Sequence, residues 1–142
     1  MTLDRSWGLV AVIGTAILAA SLIDPGIAGP AGEGPLGGLA VTTWLHVLGY
    51  TALTAALLGA VGDRRFGIVV APVVAIAVGA GIELLQWPLA WRTASVADAT
   101  VNAIAAITMT AVWPACRRVR GAVGDGKDAD ATGDAAGKTG DD

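Results

Sequence analysis

Charged side chains are nearly absent from long stretches of this sequence. Only 15% of the 142 residues are charged, 54% are hydrophobic, and the mean hydropathy is +0.65. The few charges are segregated along the chain, which is not typical of a soluble domain of this size. No stretch alternates apolar and polar residues over a length that would build a transmembrane β-barrel. The composition therefore predicts an all-α membrane protein.

Cysteine and catalytic motifs are equally scarce. The single cysteine, Cys116, excludes an intramolecular disulfide, and beside Arg117 and Arg118 we expect it to be a reduced cytoplasmic thiol. There is no GxSxG, no HExxH, no pair of cysteines and no phosphate-cradling loop. One histidine gives little support to a metal site. The sequence predicts no metal, no cofactor and no nucleic-acid partner, and it leaves open whether the protein is an enzyme.

Four apolar stretches are long enough to cross a bilayer as helices. A hydrocarbon core about 30 Å thick needs roughly 20 apolar residues per helix, and the stretches lie at about 7–23, 39–61, 67–89 and 96–113. Glu83 is the one charged residue in the third stretch, and Asp98 is the one in the fourth. The predicted fold is a four-transmembrane-helix bundle formed by residues 1–120, in the cell membrane.

The arginines predict the orientation of this bundle. They precede the first stretch, separate the second from the third, and follow the fourth, at Arg5, Arg64, Arg65, Arg117, Arg118 and Arg120. Because cytoplasmic loops carry the excess of Lys and Arg, we expect both termini in the cytoplasm. A cleaved signal peptide is the alternative for the first stretch. Its apolar run is longer than usual and ends at no small-x-small site, so we expect an uncleaved anchor.

Residues 121–142 differ in composition from the rest of the chain. They are mainly Gly, Ala, Asp, Lys and Thr, and six Asp against two Lys give a charge of −4. Such a segment cannot bury enough apolar surface to offset the entropy of ordering. We expect a disordered acidic tail. Scarce lysine and abundant Asp, Ala and Val suit a high-salt cytoplasm, so we expect a halophilic source, with a GC-rich actinobacterium as the second interpretation.

Polar residues cluster at the outer ends of three predicted helices. They form pairs three or four residues apart, which places each pair on one helix face. At about 1.5 Å per residue, the pairs lie at a similar depth, and Arg92 lies in the loop just before the last one. The residues concerned are His46, Tyr50, Glu83, Gln86, Arg92, Asp98 and Asn102.

The two carboxylates of this layer need partners, because a charge in hydrocarbon costs about 2.5 to 3.5 kcal/mol on insertion scales. We therefore expect an ion pair from Arg92 to Asp98 or Glu83, and a hydrogen bond from His46 to a carboxylate. An alternative is that the polar residues only tie the helices together, at about 0.6 to 2 kcal/mol per contact.

The segments WLHVLGYTAL, GIELLQ and WRTASVADATVNAIAA resemble the VanZ-like family of small membrane proteins. That family shows a His with a Tyr or Phe four residues on, an ExxQ on the next helix, and an Arg, an Asp and an Asn leading into the last helix. The seven polar residues named above match these positions one by one, within residues 42–113. The basic residue that often precedes the family's His is replaced here by Thr42, Thr43 and Trp44.

The resemblance implies a multi-span protein of the cell envelope whose founding relative is linked to resistance to the glycopeptide teicoplanin. It implies no mechanism. In an archaeon without peptidoglycan, glycopeptide resistance would not be the task of such a protein, although a shared chemistry on another envelope component would remain open.

Three functions are open from these observations. The first is a site for an outer-leaflet lipid or amphiphile, where Arg92 holds a phosphate and His46 with Glu83 or Asp98 handles protons. His46, Glu83 and Asp98 are then the catalytic candidates, and all seven polar residues are binding candidates. The second is a noncatalytic assembly protein. Proton-coupled transport is disfavoured, because the inner halves of the four stretches lack ionisable residues. The oligomeric state stays open.

Overall fold

The computed structural model of the protein describes residues 2–23, 40–89 and 95–137, with side chains in 5–23, 40–89 and 95–121. All four elements in these residues are α-helices. They are α1 (Thr2–Leu22), α2 (Val41–Val61), α3 (Gly67–Gln86) and α4 (Val96–Gly137). The prediction of an all-α fold is confirmed for the described part of the chain.

Each helix contains a segment that is long and apolar enough to cross a membrane. These segments are Arg5–Leu22, Val41–Val61, Gly67–Gln86 and Val96–Gly121. The 21 residues of α2 extend about 31 Å, close to the roughly 30 Å of a bilayer's hydrocarbon core. Four such helices indicate a multi-pass membrane protein.

Helix α4 is longer than the sequence predicts. It begins at Val96, as expected, but ends at Gly137, whereas the predicted span ends at residue 113 and the predicted disordered tail begins at residue 121. The chain divides into two compact units, Met1–Ala111 and Val112–Asp142. From Gly121 onward, α4 contains several glycines, each of which lowers helix stability by about 1 kcal/mol relative to alanine. Disorder of residues 121–142 in solution stays a prediction.

The buried side chains of the first unit combine larger residues of α2 with small residues of α3. Ala71 and Ala75 of α3 are fully buried, and the buried Gly79 follows one turn later. Small residues at this spacing let membrane helices approach closely. On α2, the buried residues include Leu53, Leu57 and Leu58. The close approach of α3 brings the polar ends of the helices together.

A five-residue turn, 62–66, connects α2 to α3. Gly67 begins α3 and must be glycine, because a Cβ there would collide with the backbone carbonyl oxygen of Val61. The backbone N–H of Gly67 donates to the carbonyl of Arg64 at 2.9 Å, which closes the turn. A turn this short makes α2 and α3 antiparallel neighbours.

Candidate functional site

Inter-helix contacts place one end of each helix in the same region of the first unit. The last turn of α1 meets the last turn of α3 through Ser21 and Gln86. The second turns of α2 and α4 meet through His46 and Asn102. Glu83, near the end of α3, contacts the residue just before α4. The polar residues at these ends are therefore neighbours in space as well as in depth.

His46 and Asn102 form a hydrogen bond between α2 and α4. His46 Nδ1 lies 3.0 Å from Asn102 Oδ1. An amide oxygen only accepts, so His46 carries a proton on Nδ1 and donates it. In the neutral imidazole this leaves Nε2 as an acceptor. The His46 ring also stacks on Tyr50, with ring centroids 6.2 Å apart and planes at 6°.

Glu83 is buried, with 8% of its surface exposed. Its Oε2 accepts the backbone N–H of Ser95 at 2.8 Å. This bond joins the end of α3 to the start of α4.

Five buried side-chain polar atoms have no hydrogen-bond partner among the described residues. Two are the indole Nε1 atoms of Trp44 and Trp113, and the other three lie on three different helices, as Tyr50 Oη, Glu83 Oε1 and Asn102 Nδ2. Tyr50 and Asn102 are each only 1% exposed. Leaving such an atom unpaired costs about 1 to 3 kcal/mol. We call His46, Tyr50, Glu83 and Asn102 the polar cluster.

Gly79 provides the space in which two members of the polar cluster pack. A Cβ at this position would lie 3.2 Å from Asn102 Nδ2 and 3.2 Å from Tyr50 Cε1. Any larger side chain would therefore push against both. The absence of a side chain lets the phenol and the amide approach the backbone of α3.

Gln86 serves a different purpose from the polar cluster. Its Nε2 donates to the backbone carbonyl of Ser21 at 2.8 Å, and both residues are buried. The bond ties α3 to α1. Gln86 lies one turn beyond Glu83 on α3, as the ExxQ spacing predicts. Its amide contacts α1, however, and the sequence did not predict a contact between Gln86 and that helix.

Asp98 lies in the first turn of α4 and is half-buried. Its backbone N–H lies 3.2 Å from Ser95 Oγ, so Ser95 caps the helix. An acidic side chain in the first turn also interacts favourably with the helix dipole. These two observations give Asp98 a role in starting α4, whereas its assignment as a catalytic candidate stays a prediction.

Two expected contacts of the layer have different outcomes. Arg92 lies outside the described residues, so its predicted ion pair with Asp98 or Glu83 stays a prediction. His46 was expected to bond to a carboxylate, but among the described residues its ring bonds to the Asn102 amide. Asn102 is directed into the bundle and is fully buried, while Asp98, one turn nearer the start of α4, is only half-buried.

Ser21 and Ser95 are contacts that the sequence reasoning missed. Ser95 had a readable signal, because Ser three residues before Asp98 at the start of an apolar run is a capping-box pattern. Ser21 had none, since it contributes a backbone carbonyl that any residue would supply.

The polar cluster offers hydrogen-bonding groups for a neutral or charged polar molecule. Nε2 of a neutral His46 accepts, Asn102 Nδ2 donates, the Tyr50 hydroxyl does either, and an ionised Glu83 accepts. A proton can pass between His46 and a bound hydroxyl, which is the basic step of general acid–base chemistry. Among the described residues, no three His, Cys, Asp or Glu side chains are grouped so as to hold a metal ion.

The likeness to the VanZ-like family rests on the spacing of seven residues from His46 to Asn102. No protein-family model matches the chain, and no curated protein and no solved structure matches it either.

Proposed function

We propose that this chain is a VanZ-like protein of the cell envelope whose polar cluster, at the level of the outer leaflet, binds or acts on a lipid or another amphiphile. The observation that carries the proposal is the set of three unpartnered buried atoms, on Tyr50, Glu83 and Asn102. Polar residues that only hold helices together would be expected to form hydrogen bonds with one another and leave no buried polar atom unpaired. A ligand with hydroxyl or phosphate groups would supply the missing partners.

The residues have distinct roles in this proposal. Tyr50 and Asn102 bind the polar group of the ligand, Glu83 accepts from it, and His46 accepts or transfers a proton through Nε2. Arg92 holds a phosphate where the ligand has one. Glu83 and Asn102 are held in place by their bonds to Ser95 and His46.

The orientation and the cellular setting belong to the same proposal. Both termini lie in the cytoplasm, so the polar cluster lies near the outer face of the cell membrane. The support is the distribution of arginines, among them Arg64 and Arg65 in the turn at the other end of α2 and α3. The proposal also includes a halophilic source and an acidic tail that keeps the protein soluble in high salt.

Glu83→Gln tests the proposal in the full-length protein. The glutamine side chain keeps an oxygen to accept the Ser95 N–H, so the fold should be retained, but it removes the carboxylate. Wild-type protein and variant are purified from the same membranes in a mild detergent, and the lipids retained by each are identified by native mass spectrometry. We expect wild type to retain a specific envelope lipid and the variant to lose about tenfold or more of it, as for a lost interaction of about 1.4 kcal/mol.

Thr54→Val is the matched control. It also removes a buried polar group from the bundle, but the Thr54 hydroxyl donates to the Tyr50 carbonyl of its own helix at 2.7 Å and takes no part in the polar cluster. Its lipid profile should equal that of wild type. Equal profiles for wild type and Glu83→Gln, with both proteins folded, would contradict the proposal.

The alternative is a noncatalytic assembly protein in which the polar residues only specify helix packing. The bond from Gln86 to Ser21 favours it, because this bond joins α1 to α3 and leaves the amide no evident ligand role. Under the alternative, Glu83→Gln changes neither lipid retention nor function. Loss of stability alone, in any variant of the polar cluster, would support it.

A further inference from the structure

A groove runs between α1 and α2, and its lining includes His46 and Tyr50 of the polar cluster. Its volume is about 330 Å³, at the lower end of the roughly 300 to 1,000 Å³ of small-molecule sites. The lining from α1 extends from Val12 to Ser21, and the lining from α2 extends from Thr42 to Tyr50. Nine residues of helix give the groove a length of about 13 Å, which is less than half of the bilayer's hydrocarbon core.

The lining changes from apolar to polar along the groove. At one end α1 contributes Val12, Ile13 and Ala16. At the other end lie Ser21 of α1 and, on α2, Thr42 and His46. An amphiphile has the same gradient of polarity. Tyr50 of α2 lies toward the apolar end, because it follows Gly49, which packs against Ile17.

The groove is open on its lipid side and narrow at its floor. Val12 is 67% exposed and Leu45 is 60% exposed, so the edges of the groove face the surroundings of the bundle. At the floor, the Ile17 side chain packs against Gly49, where a Cβ would lie 3.3 Å from Ile17 Cγ1. A helix with its side chains is about 10 Å wide and cannot enter between two helices in contact. A hydrocarbon chain can.

We propose that this groove holds one hydrocarbon chain of a membrane lipid, which enters sideways from the outer leaflet and places its polar headgroup at the end of the groove formed by Ser21, Thr42 and His46. The inference rests on the proposed function and deepens it, because it makes the ligand a lipid with a chain and excludes a free headgroup. Recognition is then divided between the two helices of the groove and the polar cluster behind it.

Ala16→Phe tests the groove. Ala16 lines the groove and is exposed, so a phenyl group there fills the space of the chain. Ala19→Phe is the matched control, because Ala19 is an exposed alanine of the same helix that is not part of the lining. The full-length proteins are reconstituted in phosphatidylglycerol nanodiscs and transferred to detergent, and the retained lipid is counted by native mass spectrometry. We expect a several-fold loss for Ala16→Phe and none for Ala19→Phe.

A second measurement keeps the test valid if Ala16→Phe does not fold. Wild type is photolysed in nanodiscs with phosphatidylglycerol that carries a diazirine in one acyl chain, and the retained complex is mapped by peptide mass spectrometry. Labels should concentrate on residues 12–21 and 42–50. Labels spread equally over the exposed face of α3, at Val69 and Val73, would overturn the proposal.

The outcomes separate this inference from the proposed function. Loss of lipid in Glu83→Gln but not in Ala16→Phe would retain the polar cluster and reject the groove. Loss in Ala16→Phe but not in Glu83→Gln would retain the groove and reject the role of the carboxylate. Displacement of the retained lipid by free glycerol phosphate would also reject a groove that binds a hydrocarbon chain. If Ala16→Phe retained its lipid but no longer formed a dimer, the groove would instead be a contact with a second copy of the chain.

Discussion

Gly79 is the residue whose small size brings the polar cluster together. Tyr50 of α2 and Asn102 of α4 both pack on it, each within 3.2 Å of the position that a Cβ would take. Most real Cβ contacts are wider than this, so a methyl group requires both neighbours to move. Because both are fully buried, they have little room to do so.

Gly79→Ala should therefore destabilise the bundle by about 1 to 3 kcal/mol, as overpacking does in a filled interior. It should also weaken lipid retention. Gly81→Ala is the control, since a Cβ at Gly81 meets no atom within 4 Å. That variant should be neutral or more stable by up to about 1 kcal/mol, because alanine favours the helix. Unfolding in mixed micelles with increasing SDS measures both, and equal effects would contradict the packing described here.

Ser95 takes part in two hydrogen bonds, and only one of them depends on its side chain. Its hydroxyl caps α4 and its backbone N–H donates to Glu83. Ser95→Ala should cost about 1 kcal/mol through loss of the cap, while lipid retention changes little because Glu83 keeps its partner. Ser95→Asp should restore the stability. A loss of lipid in Ser95→Ala that Ser95→Asp does not restore would show that the hydroxyl itself contacts the ligand.

At the scale of helices, α1 is joined to α3 by the bond from Gln86 to the Ser21 carbonyl. Inter-helix hydrogen bonds in membranes contribute about 0.6 to 2 kcal/mol. Gln86→Leu should reduce the stability by this amount and leave the lipid profile unchanged. Ser21→Ala keeps the backbone acceptor and should have a smaller effect. An equal loss in the two variants, in the same SDS titration, would show that the Ser21 hydroxyl rather than its carbonyl connects the helices.

For the whole molecule, the single cysteine reports the orientation. Cys116 is exposed and follows the last predicted span. With the C terminus in the cytoplasm, a membrane-impermeant maleimide should not label it in intact cells and should label it after permeabilisation. Ala31→Cys in a Cys116→Ser background, placed in the predicted outer loop, should give the opposite result. Labelling of Cys116 in intact cells would invert the topology and place the polar cluster at the inner leaflet.

Truncation before Gly124 tests the tail. After this point the chain has no apolar side chain larger than alanine, so its removal should change neither stability nor lipid retention. Circular dichroism of the full chain and of the truncated chain distinguishes helix from disorder in the segment. A difference spectrum with helical minima would show that the helix that extends to Gly137 persists in solution. Impaired membrane insertion of the truncated chain would show that the tail does more than keep the protein soluble.

The sequence by itself determined the number and type of the helices and the approximate limits of the first three. A membrane helix satisfies its own backbone hydrogen bonds, so its existence depends on local composition and length alone. The pairing of His46 with Tyr50 on one face followed from helical spacing in the same way, and the cap at Ser95 was readable from its distance to Asp98. The clustering of polar pairs at the helix ends identified the polar residues but not their contacts.

Only the tertiary structure decided which polar atoms meet. His46 bonds to Asn102 rather than to a carboxylate, and Gln86 reaches the backbone of α1. These contacts depend on the rotation and depth of each helix relative to its neighbours, which are set by how closely small residues such as Gly79 let the helices approach. Spacing along one helix contains no information about this, because it fixes only which side chains share a face.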